Sequence, residues 1–250
     1  MESKSRQKRI RIFAGPNGSG KSTLYEKIRT EYKIRFGYYI NADKIFEEFR
    51  GRGCVDLSVF QIKTVSTEFA EYYLKSGWDA YIAEKRYLDK WEINQSIVSI
   101  ENKLAQAPDA AILADFIRTR LLARGDTFTF ETVMSHPSKI DFMKSAERRG
   151  YKTYLYFVAT EDPVINLNRV HIRILKGGHA VPDKKVISRY KSALGLLLEA
   201  IRASYRSYIF DNTNELKLIA EAGPSGKIAI LASTVPQWFY EHVIKKVSLT

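Results

Sequence analysis

Residues 9–23 read RIRIFAGPNGSGKST, and this stretch sets the fold class. Arg9 to Ala14 is a short apolar-rich run, the pattern of a β-strand. Gly15 to Gly20 cannot continue it. From Lys21 to Tyr32 the apolar residues Leu24, Ile28 and Tyr32 recur at helical spacing. Between strand and helix, Gly15-Pro16-Asn17-Gly18-Ser19-Gly20-Lys21-Ser22 satisfies G-x-x-x-x-G-K-[ST] at every position, the pattern of a loop that cradles phosphates. Glycines let such a loop wrap close to phosphate oxygens and aim backbone N–H groups inward. The helix that follows adds its N-terminal dipole. Lys21 is expected on the β- and γ-phosphates and the Ser22 hydroxyl on Mg²⁺, with Thr23 completing the motif. ATP and Mg²⁺ are therefore the expected ligands.

Outward from this loop, strands alternate with helices. Tyr38–Asn41 (YYIN) reads as a second strand, residues 57–124 as mostly helical, and Phe128–Val133 (FTFETV) as a third strand. Ser138–Arg149 reads as a helix closed by Gly150, and Thr153–Ala159 (TYLYFVA) as a fourth strand. An Arg-rich helix, Gly177-Gly178 and a helix from about Asp183 to Ser204 follow. Tyr208–Asp211 (YIFD) reads as a fifth strand, Lys227–Ala232 as a sixth, and Trp238–Val247 as a closing helix. This order predicts an α/β phosphate-loop NTPase fold, a mainly parallel sheet flanked by helices. A helical insertion is expected between strands two and three, at about residues 55–110 of a single 1–250 domain.

Three segments carry candidate chemistry. Asp43 follows the second strand, where parallel sheets place ligands beyond their carboxyl ends. A carboxylate there can accept or orient an acceptor hydroxyl proton, or it can cap the helix starting near Lys44. Glu131 and Thr132 end the third strand. Phe128 and Phe130 alternate with them, so the aromatics face one side of the sheet. A carboxylate ending an apolar strand needs a partner; acceptor hydroxyls, Mg²⁺ or an arginine would serve, and so would a structural ion pair. Arg169, Arg173 and Lys176 share one face of the helix after strand four, with Leu167, Val170 and Ile174 on another. Such guanidinium groups can stabilise charge on a moving phosphoryl group, with Gly177-Gly178 as the break beyond them. Arg189 in the next helix is a weaker candidate, read as substrate-binding, and His179 could contact phosphate or cap a turn. Tyr208–Asp211 has the apolar-run-plus-Asp form of a Mg²⁺-binding strand, but a nucleotide contact or a structural turn is favoured for it.

The 250 residues carry 40 Lys and Arg against 28 Asp and Glu, a net charge of +12, which suggests an anionic partner. Cys54 is the only cysteine, so no intramolecular disulfide forms and a reducing compartment fits. The start is polar and basic up to Arg9, and the apolar run Ile10–Ala14 is shorter than a secretory apolar core. No stretch approaches the roughly 20 apolar residues of a membrane span. A cytoplasmic protein is expected. No LSGGQ-like signature marks a transport ATPase and no NKxD motif marks a GTPase.

The segments GPNGSGKST, NADKI, FETVMSHPSK, GYKTYLYFV, NRVHIRILKGGHAVP with ISRY, and DNT occur in that order. Together they resemble the zeta-toxin-like phosphate-loop kinases, most of all the chromosomal branch once described as predicted ABC-type ATPases. The matches cover most of the chain outside about residues 55–110. The resemblance implies transfer of the γ-phosphate of ATP to UDP-N-acetylglucosamine or a related UDP-sugar. It implies Asp43 as catalytic base, Glu131 and Thr132 as acceptor-binding residues, and Arg169 and Arg173 as phosphate-clamping residues, with Arg189 or His179 as alternatives for one of these roles. It also implies a possible antitoxin partner. A nucleic-acid-associated ATPase or nucleic-acid kinase, with the positive charge as its footprint, is the alternative.

Overall fold

A computed structural model describes residues 7–82, 86–178 and 180–248. The chain divides into two compact units, residues 1–37 with 127–250, and residues 38–126.

In the first unit, strand β1 (Arg9–Ala14) leads through the glycine loop into helix α1 (Lys21–Glu31). The second unit then runs through β2 (Tyr38–Ile40), α2 (Ala42–Arg52), β3 (Cys54–Asp56), α3 (Ser66–Lys75), α4 (Trp78–Ile82), β4 (Glu92–Asn94), β5 (Ile97–Ser99) and α5 (Ala107–Arg124). The chain returns to the first unit with β6 (Phe128–Thr132), α6 (Ser138–Arg148), β7 (Lys152–Ala159), α7 (Pro163–Leu175), α8 (Asp183–Gly195), α9 (Leu197–Arg202), β8 (Arg206–Asp211), β9 (Lys217–Ala222) and β10 (Ile228–Ile230). A short helical segment from Gln237 to Val247 closes it.

The sheet of the first unit has the order β6-β1-β7-β8-β9-β10. β6, β1, β7 and β8 are parallel. β9 and β10 extend them antiparallel. β1 lies inside the parallel part, and its residues from Ile10 to Ala14 are buried, as a strand covered on both faces must be. The expected single-face placement of Phe128 and Phe130 holds. Both pack on Phe142 of α6, with ring centroids 6.4 and 5.6 Å away, while the Thr129 hydroxyl between them donates to the Phe36 carbonyl (2.7 Å).

Arg11 departs from the usual placement of a strand cation. It is 6% exposed and lies between the rings of Phe36 and Tyr154, 5.5 and 5.6 Å from their centroids. Burial pushes its pKa down, a shift opposed by the adjacent Tyr156 phenol. Burial in turn pushes the Tyr156 hydroxyl up to about 12. The opposite face of the same strand is aliphatic, with Ile10 and Ile12 fully buried.

The sequence reading did not anticipate β9. The run Lys217–Ala222 is half charged or exposed, so periodicity does not mark it. The expected sixth strand, at 227–232, is the antiparallel edge strand β10, reached through the Gly223–Gly226 turn.

The second unit differs from a purely helical insertion. Within it β3, β5 and β4 form a three-stranded antiparallel sheet. The β-branched pair Ile97-Val98 and the turn at Gln95 (φ 54°) make a hairpin, and runs this short cannot be typed by periodicity. Helices α2, α3 and α5 supply the rest. Phe69 joins Trp91 (centroids 4.8 Å) and Phe116 (5.1 Å), and Phe49 meets Trp91 edge-on (5.9 Å). Two carboxylates, the buried Asp109 and the half-buried Asp115, are satisfied locally. Asp109 accepts from Tyr87 and Lys90, and Asp115 from Tyr72, Trp78 and Arg118.

Candidate active site

Gly15 to Gly20 link a strand buried from Ile10 onward to a helix whose N-cap is Gly20 at φ 102°. Three glycines are required by close approach as well as by backbone angle, and a Cβ on Gly15 (φ 140°) would lie 2.0 Å from the Val158 carbonyl oxygen. A Cβ on Gly18 (φ 74°) would lie 2.5 Å from the Asn166 carbonyl oxygen, and one on Gly20 would lie 2.4 Å from the Asn212 amide nitrogen. The loop is thus packed directly against α7 and against the turn after β8. The Lys21 ammonium curls over the loop and donates to the Gly15 and Pro16 carbonyls, both at 2.9 Å. That conformation holds the ammonium above the loop where phosphates are expected.

Glu131 is the penultimate residue of β6, the strand beside β1, and its register partner is Phe13. Its carboxylate accepts a hydrogen bond from the Ser22 hydroxyl at 2.9 Å. A hydroxyl and a carboxylate side by side are hard oxygen donors of the kind Mg²⁺ prefers. Of the roles the sequence left open for Glu131, this contact favours the metal side. Thr132 shapes the next turn: its hydroxyl accepts from the Met134 amide (3.3 Å), and Met134 is left-handed at φ 58°.

Asp211 belongs to the turn. Its carboxylate accepts from the Thr213 amide (3.1 Å), the Thr213 hydroxyl (2.8 Å) and the Trp238 indole (2.9 Å). These three donors use up most of its acceptor capacity.

The Arg-rich helix is α7. It starts at the Asp162 cap, whose side chain accepts from the Val164 amide (2.8 Å), and Pro163 occupies its first turn. Its packing accounts for Gly177, Gly178 and Val181. Gly177 (φ 88°) follows the helix end, and Gly178 sits so close that a Cβ there would lie 2.7 Å from the Arg173 Cγ. Val181 then joins Val170 and Val186 in a small core with Leu167 and Ile174, and α8 begins after Pro182. His171 on α7 is 2.8 Å from Asp183 on α8. Tyr190 of α8 donates to the Thr160 and Glu161 carbonyls (2.7 and 3.1 Å), and burial followed by Glu161 pushes its phenol up.

Arg169 and Arg173 are both half-buried on α7. The two terminal nitrogens of Arg169 donate to the Asn212 carbonyl (2.8 Å) and the Thr213 carbonyl (3.2 Å). Arg173 lies one turn further, beside Gly178. Arg189 is half-buried on α8. His179 lies outside the described residues.

Asp43 stands exposed in the first turn of α2, in the second unit. It is not the cap of that helix. Asn41 is, its side-chain oxygen accepting from the Asp43 and Lys44 amides at 2.8 and 3.4 Å. The helix starts at Ala42, two residues before the expected start, because Asn41 supplies a better-placed cap.

Two residues that the sequence reading did not single out hold the loop. Asn166 of α7 is fully buried. Its amide donates to the Asn17 carbonyl at 2.6 Å, and its oxygen accepts from Thr160. Asn212 donates to the Ser19 carbonyl at 2.8 Å. The available signal was an asparagine within the otherwise apolar Val164-Ile165-Asn166-Leu167 start of α7, and the Asn of the DNT segment. Within the loop itself, the Asn17 side-chain oxygen and the Ser19 hydroxyl are buried with no hydrogen-bond partner among the described residues. Such buried polar atoms are costly unless met; the Ser19 hydroxyl could donate to a phosphate oxygen, whereas the Asn17 oxygen, an acceptor, needs a donor. Among the described residues no helix is long and apolar enough to cross a membrane.

No protein-family model matches the chain, and no curated protein matches it. Solved structures do. A crystal structure of AvrRxo1-ORF1:AvrRxo1-ORF2 with sulphate ions aligns at TM-score 0.54 and 17% identity over 97% of this chain and 65% of that one. The same complex with ATP aligns at TM-score 0.51 and 16% identity over 94% of this chain and 68% of that one. The PezAT chromosomal toxin–antitoxin system of Streptococcus pneumoniae aligns at TM-score 0.51 and 13% identity over 97% and 80%. The chain spans about two-thirds of the length of the AvrRxo1-ORF1:AvrRxo1-ORF2 structures it matches. The shared feature is the fold, an α/β architecture with a mostly parallel sheet flanked by helices.

Proposed function

We propose that this chain is a Mg²⁺-dependent kinase that transfers the γ-phosphate of ATP to a hydroxyl of a small anionic acceptor. A UDP-sugar such as UDP-N-acetylglucosamine is the acceptor favoured by the sequence resemblance. The observation that carries the reading is the hydrogen bond between Ser22 and Glu131 beside a complete phosphate loop. Together they supply the oxygen donors of a nucleotide–metal site. One neighbouring structure holds ATP, which supports the nucleotide side of the reading.

In this reading the backbone N–H groups of Gly15 to Gly20 and the Lys21 ammonium bind the phosphates. Ser22 and Glu131 are the residues that would hold Mg²⁺, and the ion supplies charge neutralisation on the phosphates. Asp43 takes the acceptor hydroxyl proton at a carboxylate oxygen, and Thr132 and Arg189 bind the acceptor. Arg173 stabilises charge on the moving group. The ORF1:ORF2 complex and the toxin–antitoxin system among the neighbours motivate an antitoxin-type protein partner for this chain too.

The test is mass spectrometry of UDP-sugars, and of a bacterial metabolite extract, incubated with ATP, Mg²⁺ and the protein. A product heavier by one phosphoryl group is expected. Asp43→Asn is expected to bind ATP as the wild type does and to lose transfer by roughly 10²-fold or more, the scale of general-base catalysis. Near-wild-type transfer by this variant would remove Asp43 from the mechanism. ATP hydrolysis with no phosphorylated acceptor in any extract would overturn the kinase reading.

A further inference from the structure

A loop that turns its N–H groups inward must turn carbonyls outward. Here two of those carbonyls are met by side-chain amides from separate elements. Asn166 of α7 holds the Asn17 carbonyl at 2.6 Å, and Asn212, after β8, holds the Ser19 carbonyl at 2.8 Å. Asn212 is itself held. Arg169 donates to its carbonyl at 2.8 Å and to that of Thr213 at 3.2 Å, and the Thr213 hydroxyl and amide close the turn on Asp211. A continuous chain of hydrogen bonds therefore runs from Arg169 through the 212–213 turn to the middle of the phosphate loop.

We infer that Asn166 and Asn212 are positioning residues for the nucleotide cradle, and that Arg169 acts through Asn212 rather than on the transferring phosphoryl group. The inference rests on the reading of residues 15–22 as a nucleotide-binding loop. Asparagine suits this place because its amide offers N–H donors to a carbonyl without adding charge. A carboxylate there would set an acceptor against an acceptor and a negative charge beside phosphates. The close approaches agree with the assignment: both glycines that any side chain would drive into Asn166 or Asn212 belong to the loop. The guanidinium of Arg169 is committed by two nitrogens to backbone carbonyls, a geometry that fixes a turn. On this account Asn166 and Arg169 shape the cradle, and Arg173, one turn on, is the arginine assigned above to the moving phosphoryl group.

The prediction separates phosphate contact from loop positioning by the choice of nucleotide. The loop holds the phosphates that ADP and ATP share, whereas an arginine on the γ-phosphate distinguishes them. Calorimetry with Mg-ADP and with a non-hydrolysable Mg-ATP analogue is run on the full chain and on Arg169→Ala, Asn212→Ala, Asn212→Asp and the Arg169→Ala/Asn212→Ala double variant. Each single alanine variant is expected to weaken both nucleotides by the same factor, about tenfold, the scale of one hydrogen bond. Asn212→Asp is expected to weaken both further. The double variant is expected to lose little more than the worse single variant, because residues in one network are not additive. Equal losses with an unchanged melting temperature of the nucleotide-free protein would exclude a merely structural effect. Should Asn212→Ala not fold, Arg169→Lys, whose point-like ammonium lacks the planar fork that spans the two carbonyls, carries the same comparison. A loss confined to the ATP analogue, fully additive losses, or unchanged affinity for both nucleotides would overturn the inference. A wild-type protein that binds neither nucleotide would overturn the nucleotide-loop reading itself, a different outcome.

Discussion

Replacing Glu131 by glutamine separates the two roles this residue can have, metal holding and acceptor binding. The change keeps the side-chain shape, and the amide oxygen can still accept the 2.9 Å hydrogen bond from Ser22. The residue is half-buried at the end of β6, so little core packing is disturbed and the fold should stand. What is lost is one negative charge beside the Ser22 hydroxyl. Removing a carboxylate that ligates a metal or orients its ligand typically costs about 10–100-fold in metal affinity, or about 1.4–2.8 kcal/mol. The Mg²⁺ concentration for half-maximal turnover should rise by that factor. The Michaelis constant for the acceptor, at saturating Mg²⁺, should stay within about twofold by the same reasoning. ATP binding in the presence of a chelator should be unchanged or slightly tighter, since a negative charge near the phosphates is gone. The assay is a Mg²⁺ titration of turnover and of nucleotide calorimetry on the two proteins. An unchanged Mg²⁺ requirement together with a raised acceptor Michaelis constant would refute the metal role. It would return Glu131 to the acceptor site that the family resemblance implies.

Other outcomes follow from single contacts. Asn41→Ala removes the α2 cap and should destabilise the protein by about 1 kcal/mol in urea unfolding; no change would mean that another group caps the helix. Arg11→Met should leave stability unchanged or raise it by about 1 kcal/mol. The cost of burying a cation without an ion-pair partner is several kcal/mol; beside the hydrogen bond to Tyr156, two ring contacts at 5.5 and 5.6 Å return only about 0.5–2 kcal/mol each. A loss above about 2 kcal/mol would show that the ring sandwich outweighs desolvation. His242 has its pKa lowered by burial and then by Lys246. The unfolded chain therefore binds this proton more readily, and stability is full above the unfolded value near 6.5 and falls as pH drops through the folded one. Melting temperatures between about pH 7.5 and 5.5 should fall less steeply for His242→Gln than for the wild type; parallel curves would rule out this contribution.

The phosphate loop was legible because everything that defines it is local. A buried strand, a glycine-rich turn and an amphipathic helix follow one another within residues 9–32, and each is written in spacing and residue type. The parallel strands β6, β7 and β8 were legible for the same reason, as apolar runs bounded by turn residues, and the two-faced pattern of β6 fixed which side its phenylalanines take. Periodicity reports which side of an element is buried, but not which other element buries it. The sequence offered carboxylates at Asp43, Glu131 and Asp211 as partners of a metal or a hydroxyl. Only the strand order sets Glu131 beside Ser22, and only the turn at Thr213 with Trp238 takes up Asp211. The strand β9 is too polar for its pattern to show, and it forms because β8 offers it a pairing edge. Arg169 reads as a phosphate clamp on helical spacing alone, whereas in space its guanidinium meets two carbonyls more than 40 residues away. Asn166 and Asn212 stand out locally only as a polar residue in an apolar helix start and as part of DNT, which does not say what they hold. Their role exists only where α7 and the end of β8 converge on the loop, and hydrogen bonds across such distances in sequence are settled by packing rather than by neighbours along the chain.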